Sequence, residues 1–317
     1  MRSETAKLRF NRQYLLLVGL LVISLYVLLP QIGNFHSSWH LLRHPLAGWT
    51  VLAAGLTLTT YLSAAATYYL LALRPLKYGR TLAVQLAAMF INRLLPGGIG
   101  ALGANFAYLR HERHTGTQAA GVVAINNLLG AAGHALIVIL TLSLASSQTL
   151  FVPSYGHTAS LWLKVMLAAI VAFGAFVLIS GRAKVRRQMV DLYEQLRSYK
   201  EKFWHLPAAL LSSMALTLGN VLCLSACAMA LGIHLPFAVI VLIFSFGIGA
   251  GTATPTPGGL GGFEAGLAAG FITYHVSSPA ALAAALLYRL ISYWLPLAFG
   301  AAAFVICQRR NYFMDRP

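Results

Sequence analysis

Thr254-Pro255-Thr256-Pro257-Gly258-Gly259-Leu260-Gly261-Gly262 interrupts an otherwise apolar region, 237–275, and a related break, Arg93-Leu94-Leu95-Pro96-Gly97-Gly98-Ile99-Gly100, interrupts a second, 81–109. Proline removes a helix donor and clashes with the preceding turn, and neighbouring glycines add an entropic cost. Neither region reads as one continuous helix. The surrounding chain has 317 residues, of which 58% are hydrophobic and 9% charged. Soluble globular proteins carry about 25% charged residues, and disorder requires low hydrophobicity with high charge. Both classes are excluded, and the two breaks fall within sequence suited to a bilayer.

Outward from the breaks, uninterrupted apolar runs at 14–32, 48–73, 117–146, 160–180, 206–230 and 280–306 have the length of full membrane spans, for which about 20 residues suffice. The first run follows a tail with Arg2, Lys7, Arg9 and Arg12. It is too long for a signal peptide and lacks an A-x-A cleavage site, so it reads as a retained span.

The net charge of +16 would point to nucleic acid in a soluble protein; its placement here points to membrane orientation. Nineteen of the twenty-three Lys and Arg residues lie in 1–13, 74–80, just after 109, in 181–204 and after 307. The loops 34–47, 147–159, 231–236 and 275–279 hold only Arg43. The positive-inside rule then puts both termini in the cytoplasm. Region 81–109 has basic flanks on both sides and 237–275 has uncharged flanks on both sides. Each is expected to enter and leave on one face, from opposite sides of the membrane.

The halves also resemble each other. A shift of 161 positions lays Pro96-Gly97-Gly98-Ile99-Gly100 on Pro257-Gly258-Gly259-Leu260-Gly261. The fold predicted is an all-α polytopic membrane protein with six full spans and two re-entrant broken-helix hairpins in an inverted repeat. The first repeat is 14–146 with hairpin 81–109. The second is 147–306 with hairpin 237–275 and a cytoplasmic amphipathic segment, 181–204. Residues 1–13 and 307–317 are cytoplasmic tails. Inverted repeats whose broken helices meet near the midplane mark transporters.

Six of the seven acidic residues sit in tails or cytoplasmic segments; the seventh, Glu264, sits in apolar sequence. A carboxylate at that depth needs a partner, and Arg289 in the following span is the expected one. Arg93 is the other cation expected at membrane depth. Helices that end at Pro96, Gly97 and Gly98 and at Pro257, Gly258 and Gly259 leave orphan backbone groups, tolerated only around buried protein or a wet cavity. The half-helices that follow begin with N–H groups that attract anions. Together with Arg93, Glu264 and Arg289 they define a candidate binding and translocation site for a phosphate-bearing headgroup. The alternatives are a static Glu264–Arg289 packing pair and purely structural turns.

Other features read as structural. His36, His40 and His44 repeat every four residues in an outer interfacial turn without a nearby acid, and Arg110-His111-Glu112-Arg113-His114 has the wrong spacing for H-E-x-x-H, so no metal and no cofactor is expected. Cys223, Cys227 and Cys307 lie in apolar stretches and read as inert core residues. The segment 181–204 has apolar Val185, Met189, Leu192, Leu196, Tyr199 and Phe203 at three- and four-residue steps among basic residues, as an interfacial helix on anionic lipid does; the alternative is an amphipathic linker packed on the bundle.

Pro257-Gly258-Gly259-Leu260-Gly261-Gly262-Phe263-Glu264, followed by Leu287-Tyr288-Arg289, resembles the signature of the lysylphosphatidylglycerol synthase transmembrane family, the flippase-like domain also found in multiple peptide resistance factors. Asn92-Arg93-Leu94-Leu95-Pro96-Gly97-Gly98 resembles its first signature, and the likeness spans nearly the whole chain. The resemblance implies a protein of the bacterial or archaeal plasma membrane that moves lipids between leaflets. Two-domain relatives carry aminoacylated phosphatidylglycerol made by a separate soluble synthase domain. Ten residues follow Cys307, so lysyl transfer is not expected of this chain. One departure is Gly103, where the repeat has Glu264, so the two half-sites are not equivalent.

The expected function is a lipid translocase, flippase-like and not an enzyme, moving a phospholipid or lipid-linked headgroup through an amphipathic cavity. Its expected partners are membrane lipids with anionic or lipid-linked headgroups and, in a supporting role, a separate cytoplasmic synthase or glycosyltransferase; no nucleic acid is expected. The alternatives are a non-catalytic membrane subunit serving such an enzyme and an intramembrane lipid transferase. The second needs two or more carboxylates or a His constellation on one face, and only one acid lies at membrane depth.

Overall fold

The computed structural model describes residues 40–95, 98–145, 204–254 and 256–314. The spans expected at 14–32 and 160–180, the tail 1–13, the segment 181–204 apart from Trp204, and Pro96 and Gly97 lie outside the described residues. Those described form nine helices and no strand: α1 (Ala47–Leu71), α2 (Tyr78–Leu94), α3 (Ile99–His111), α4 (Gly116–Leu144), α5 (His205–Ala230), α6 (Phe237–Ala253), α7 (Gly262–Thr273), α8 (Ser278–Arg289) and α9 (Leu295–Arg309). A π turn, Leu290–Trp294, joins α8 to α9. Among the described residues, four helical stretches are long and apolar enough to cross a membrane: α1, α4, α5 and the continuous run Ser278–Arg309.

α1 and α5 pair antiparallel. Leu46 N–H donates to the Ala230 carbonyl at 2.9 Å, and His205 Nδ1 meets the Leu70 carbonyl at 2.9 Å at the other end. Their interface is built on small residues. Gly219 lies so close to α1 that a Cβ there would sit 3.0 Å from Thr60 Cγ2, the close backbone approach that drives helix association in lipid. Thr57, Thr60 and Thr67 donate their hydroxyls to carbonyls three or four residues earlier, which satisfies polar groups inside the helix itself.

α2 and α3 fold back on each other, as do α6 and α7, the first pair with α2 ending at Leu94 and α3 starting at Ile99, the second with α6 ending at Ala253 and α7 starting at Gly262. Polar rungs link the arms of the first hairpin. Gln85 Nε2 donates to Asn105 Oδ1 at 2.6 Å, Thr81 and Tyr108 hydroxyls meet at 2.9 Å, and Arg80 bonds Glu112. Gly100 also packs on the Ile91 and Asn92 backbone near the break, and in the second hairpin glycine contacts run the length of the arms: Gly247 on Leu267, Gly251 on Phe263, Gly270 on Ile243.

The connections 72–77 and 112–115 meet through His114, whose Nε2 accepts from Arg74 N–H at 3.2 Å while Nδ1 faces the Leu109 carbonyl at 3.1 Å. The imidazole is therefore neutral with its proton on Nδ1. Thr115 and Gln118 form a capping box that starts α4, the T-x-x-Q pattern visible in the sequence. His111 Nδ1 bonds the Met314 carbonyl and Arg80 lies over the Tyr312 ring, which holds residues 312–314 at this same basic end. Large apolar side chains such as Val51, Leu144 and Leu211 face outward. An apolar exterior of this extent belongs against lipid.

Candidate functional site

Glu264 and Arg289 are 4% and 7% exposed. Arg289 Nε donates to Glu264 Oε1 at 2.6 Å, and its Nη2 donates to the Gly258 carbonyl at 2.9 Å. Glu264 Oε2 accepts from Gly261 N–H at 2.7 Å, so the carboxylate also staples the first turn of α7. This is how a buried ion pair escapes the cost of desolvation: each partner finds further hydrogen bonds. Gly258 has φ +62, and a Cβ there would lie 2.5 Å from Tyr293 Cε2. Glycine is required twice over, for the left-handed backbone and for the contact.

Arg93, at the end of α2, reaches the π turn. Its guanidinium donates to the Tyr293 carbonyl, to the Ser292 carbonyl at 2.6 Å and to the Tyr61 hydroxyl at 3.1 Å. The sequence explains why the Ser292 carbonyl is available. Pro296 has no N–H to give Ser292 four residues earlier, and its ring crowds that carbonyl; the helix widens and Arg93 takes that acceptor. Tyr293 donates its hydroxyl to the Arg93 carbonyl at 3.3 Å. The centres of the Arg93 and Arg289 guanidiniums lie 4.7 and 4.8 Å from its ring. Both hairpin breaks thus meet at residues 289–293.

Gly98, with φ +76, caps the start of α3, where Asn92 Oδ1 accepts from Ala101 N–H at 3.3 Å. In the second break Thr256 closes the loop on itself, bonding the Leu260 carbonyl through Oγ1 at 2.8 Å. Gly259 packs on Gly251, and Pro257 stands at the loop entrance.

A cleft of about 240 Å³ opens between these parts. Arg93 and Arg289 line it, with Asn92, Asn220, Tyr288 and Phe263 among the other walls. Phe263 and Tyr288 stack with centroids 5.9 Å apart and planes 15° from parallel. Tyr288 donates its hydroxyl to Asn220 Oδ1 at 3.2 Å. Sequence reasoning found Arg93, Gly258, Glu264 and Arg289, which the fold brings together. It missed Tyr293, Tyr61, Asn220 and the aromatic pair. Pro296 four residues after Ser292 was a readable signal for the widened turn; Asn220 in α5 offered none.

Apolar helices with uncovered apolar faces, converging on buried charges and a polar cleft, define a multi-pass membrane protein. Residues 16–300 match the family described as Lysylphosphatidylglycerol synthase TM region. The chain belongs to that lipid-related family. No curated protein matches it.

Proposed function

We propose that the protein is a lipid translocase that carries a phospholipid or lipid-linked headgroup between leaflets through the cleft at Arg93 and Arg289, and that it performs no chemistry on its cargo. The observation that carries this reading is the meeting of two broken helical hairpins on one charge-lined cleft. Arms of 17 and 13 residues in the first hairpin, and 17 and 12 in the second, span at most about 26 Å at 1.5 Å per residue. A hydrocarbon core is about 30 Å thick. Such arms suit re-entrant hairpins better than full crossings. The open end of the first hairpin lies at the basic end with Arg74, Lys77 and Arg110. The second opens beside the uncharged connections 231–236 and 274–277. On this reading six full spans and two hairpins form an inverted repeat in a bacterial or archaeal plasma membrane, with both termini cytoplasmic.

The headgroup would cross within the cleft while its acyl chains stay in lipid. Fluorescent phospholipid in proteoliposomes, quenched from outside, reports the rate at which label becomes accessible. Wild-type protein is expected to accelerate exchange, and Arg289→Gln to slow it by about tenfold or more, the effect of losing one charge-assisted contact. Exchange no faster than in protein-free liposomes would sink the proposal; full-rate exchange by Arg289→Gln would remove Arg289 from it.

A further inference from the structure

Among the described residues, the cleft has positive charge on its walls and no carboxylate facing it. Arg93 and Arg289 are its charged lining residues, and Glu264 is not part of the lining. Glu264 has both oxygens engaged, Oε1 with Arg289 and Oε2 with Gly261 N–H, and its side chain is 5% exposed. Arg289 commits Nε and one Nη2 hydrogen, which leaves its Nη1 hydrogens without an acceptor among the described residues. The other polar side chains on the walls are neutral: the Asn92 and Asn220 amides and the Tyr288, Ser292 and Tyr293 hydroxyls.

From this we infer that the cleft selects a lipid headgroup of net negative charge, a phosphodiester bearing a neutral hydroxylated substituent, and rejects one that carries a cationic amine. The inference rests on the translocation reading for its cargo and adds its chemical class. A phosphate oxygen accepts from an Arg289 Nη1 hydrogen, a charge-assisted hydrogen bond. The hydroxyls meet neutral amides, and C–H groups of the substituent lie on the Phe263–Tyr288 stack. An ammonium group in the same space faces two guanidiniums with no carboxylate to pair it, since the one acid nearby is already used and buried. Repulsion of this kind is how sites reject the wrong ligand.

The test measures binding apart from movement. Purified protein is equilibrated with mixed micelles holding equal amounts of phosphatidylglycerol, phosphatidylethanolamine and lysylated phosphatidylglycerol, and retained lipid is counted by native mass spectrometry. Phosphatidylglycerol is expected to be retained about tenfold over the lysylated ester, with phosphatidylethanolamine between them. Arg289→Gln is expected to shrink that ratio to about twofold. Because that variant also strands Glu264, Asn220→Asp supplies a second arm: it puts a carboxylate on the cleft wall and is expected to raise retention of the lysylated ester severalfold. Soluble glycerol phosphate at millimolar concentration is expected to leave lipid retention unchanged; displacement would assign the cleft to a free phosphate ester and overturn the lipid assignment. Equal or better retention of the lysylated ester by wild type, or an unaltered ratio in Asn220→Asp, overturns the selectivity. Selective retention by a protein that moves no lipid in liposomes upholds the selectivity and retires translocation alone.

Discussion

The two hairpins solve one problem by different chemistry. Each must hold two short helices together and close a broken end within apolar surroundings. α2 and α3 have one close glycine contact, Gly100 on the Ile91 backbone, and otherwise rely on side-chain hydrogen bonds, Gln85 to Asn105 and Thr81 to Tyr108. α6 and α7 do so with glycines that let backbones touch, Gly266 being so close that a Cβ would lie 2.7 Å from Ala250 Cβ. Their charges differ as well. The first hairpin brings Arg93 to neutral carbonyls; the second brings Glu264 to a cation. The two hairpins are thus alike in shape more than in chemistry, and the net positive cleft results from that inequality.

The largest expected difference comes from removing each arginine. Arg289→Ala strands a buried carboxylate and is expected to cost about 3–5 kcal/mol; Arg93→Ala strands neutral acceptors and is expected to cost about 1–3 kcal/mol. Thermal unfolding in detergent ranks them, and equal costs would erase the distinction. The double variant Glu264→Gln with Arg289→Gln is expected to recover much of the larger loss.

A smaller effect separates the packing modes. Gly266→Ala overpacks the second hairpin and is expected to cost about 1–3 kcal/mol. In the first hairpin nothing lies within 4 Å of the point where a Cβ on Gly103 would stand, and Gly103→Ala is expected to stabilise α3 by about 0.5–1 kcal/mol. Opposite shifts in unfolding temperature check the pair. Next, Gln85→Leu alone leaves Asn105 unsatisfied and is expected to cost about 1–2 kcal/mol, whereas Gln85→Leu with Asn105→Leu is expected to be nearly neutral.

The smallest effect is a pH dependence at the junction beside the first hairpin. Burial holds His114 below the ordinary imidazole value; Arg74 pushes the same way, while hydrogen bonding to the Leu109 carbonyl and the charge of Glu112 oppose it. A depressed folded value leaves His114's contribution intact above the unfolded value of 6.5. It is lost as pH falls below that, because the unfolded chain binds a proton the folded one resists. Unfolding temperature is expected to fall with acidification from about pH 7 to about pH 5, less steeply in His114→Gln; identical slopes would refute the assignment.

Much of this was legible in the order of the residues alone. Pro-Gly-Gly at 96–98 and 257–259 forbade continuous helices, and the structure breaks in both places. Glu264 announced a partner because an unpaired acid at that depth is too costly, and Arg289 is that partner. α1, α4 and α5 begin and end within two residues of the expected spans 48–73, 117–146 and 206–230. The run at 280–306 was harder. Periodicity sees an apolar helix there, and the widening at Leu290–Trp294 depends on a missing N–H and on an arginine nearly 200 residues earlier in the chain. Tyr61 and Asn220 were invisible for the same reason: each looks like an ordinary polar residue within a span until folding brings the hairpin breaks beside it.

The π turn has a bearing on helix phase. It holds one residue more than a regular helix needs, so α8 and α9 stay in register with their neighbours because of that surplus. Taking out one residue within 290–294 would let the two wings join as ordinary helix and still point Gly300 at Phe90, its present neighbour. The same deletion further along α9 would swing every later side chain by about 100°. Length can change at this place without scrambling the seam, but the Ser292 and Tyr293 carbonyls that hold Arg93 would be lost with it.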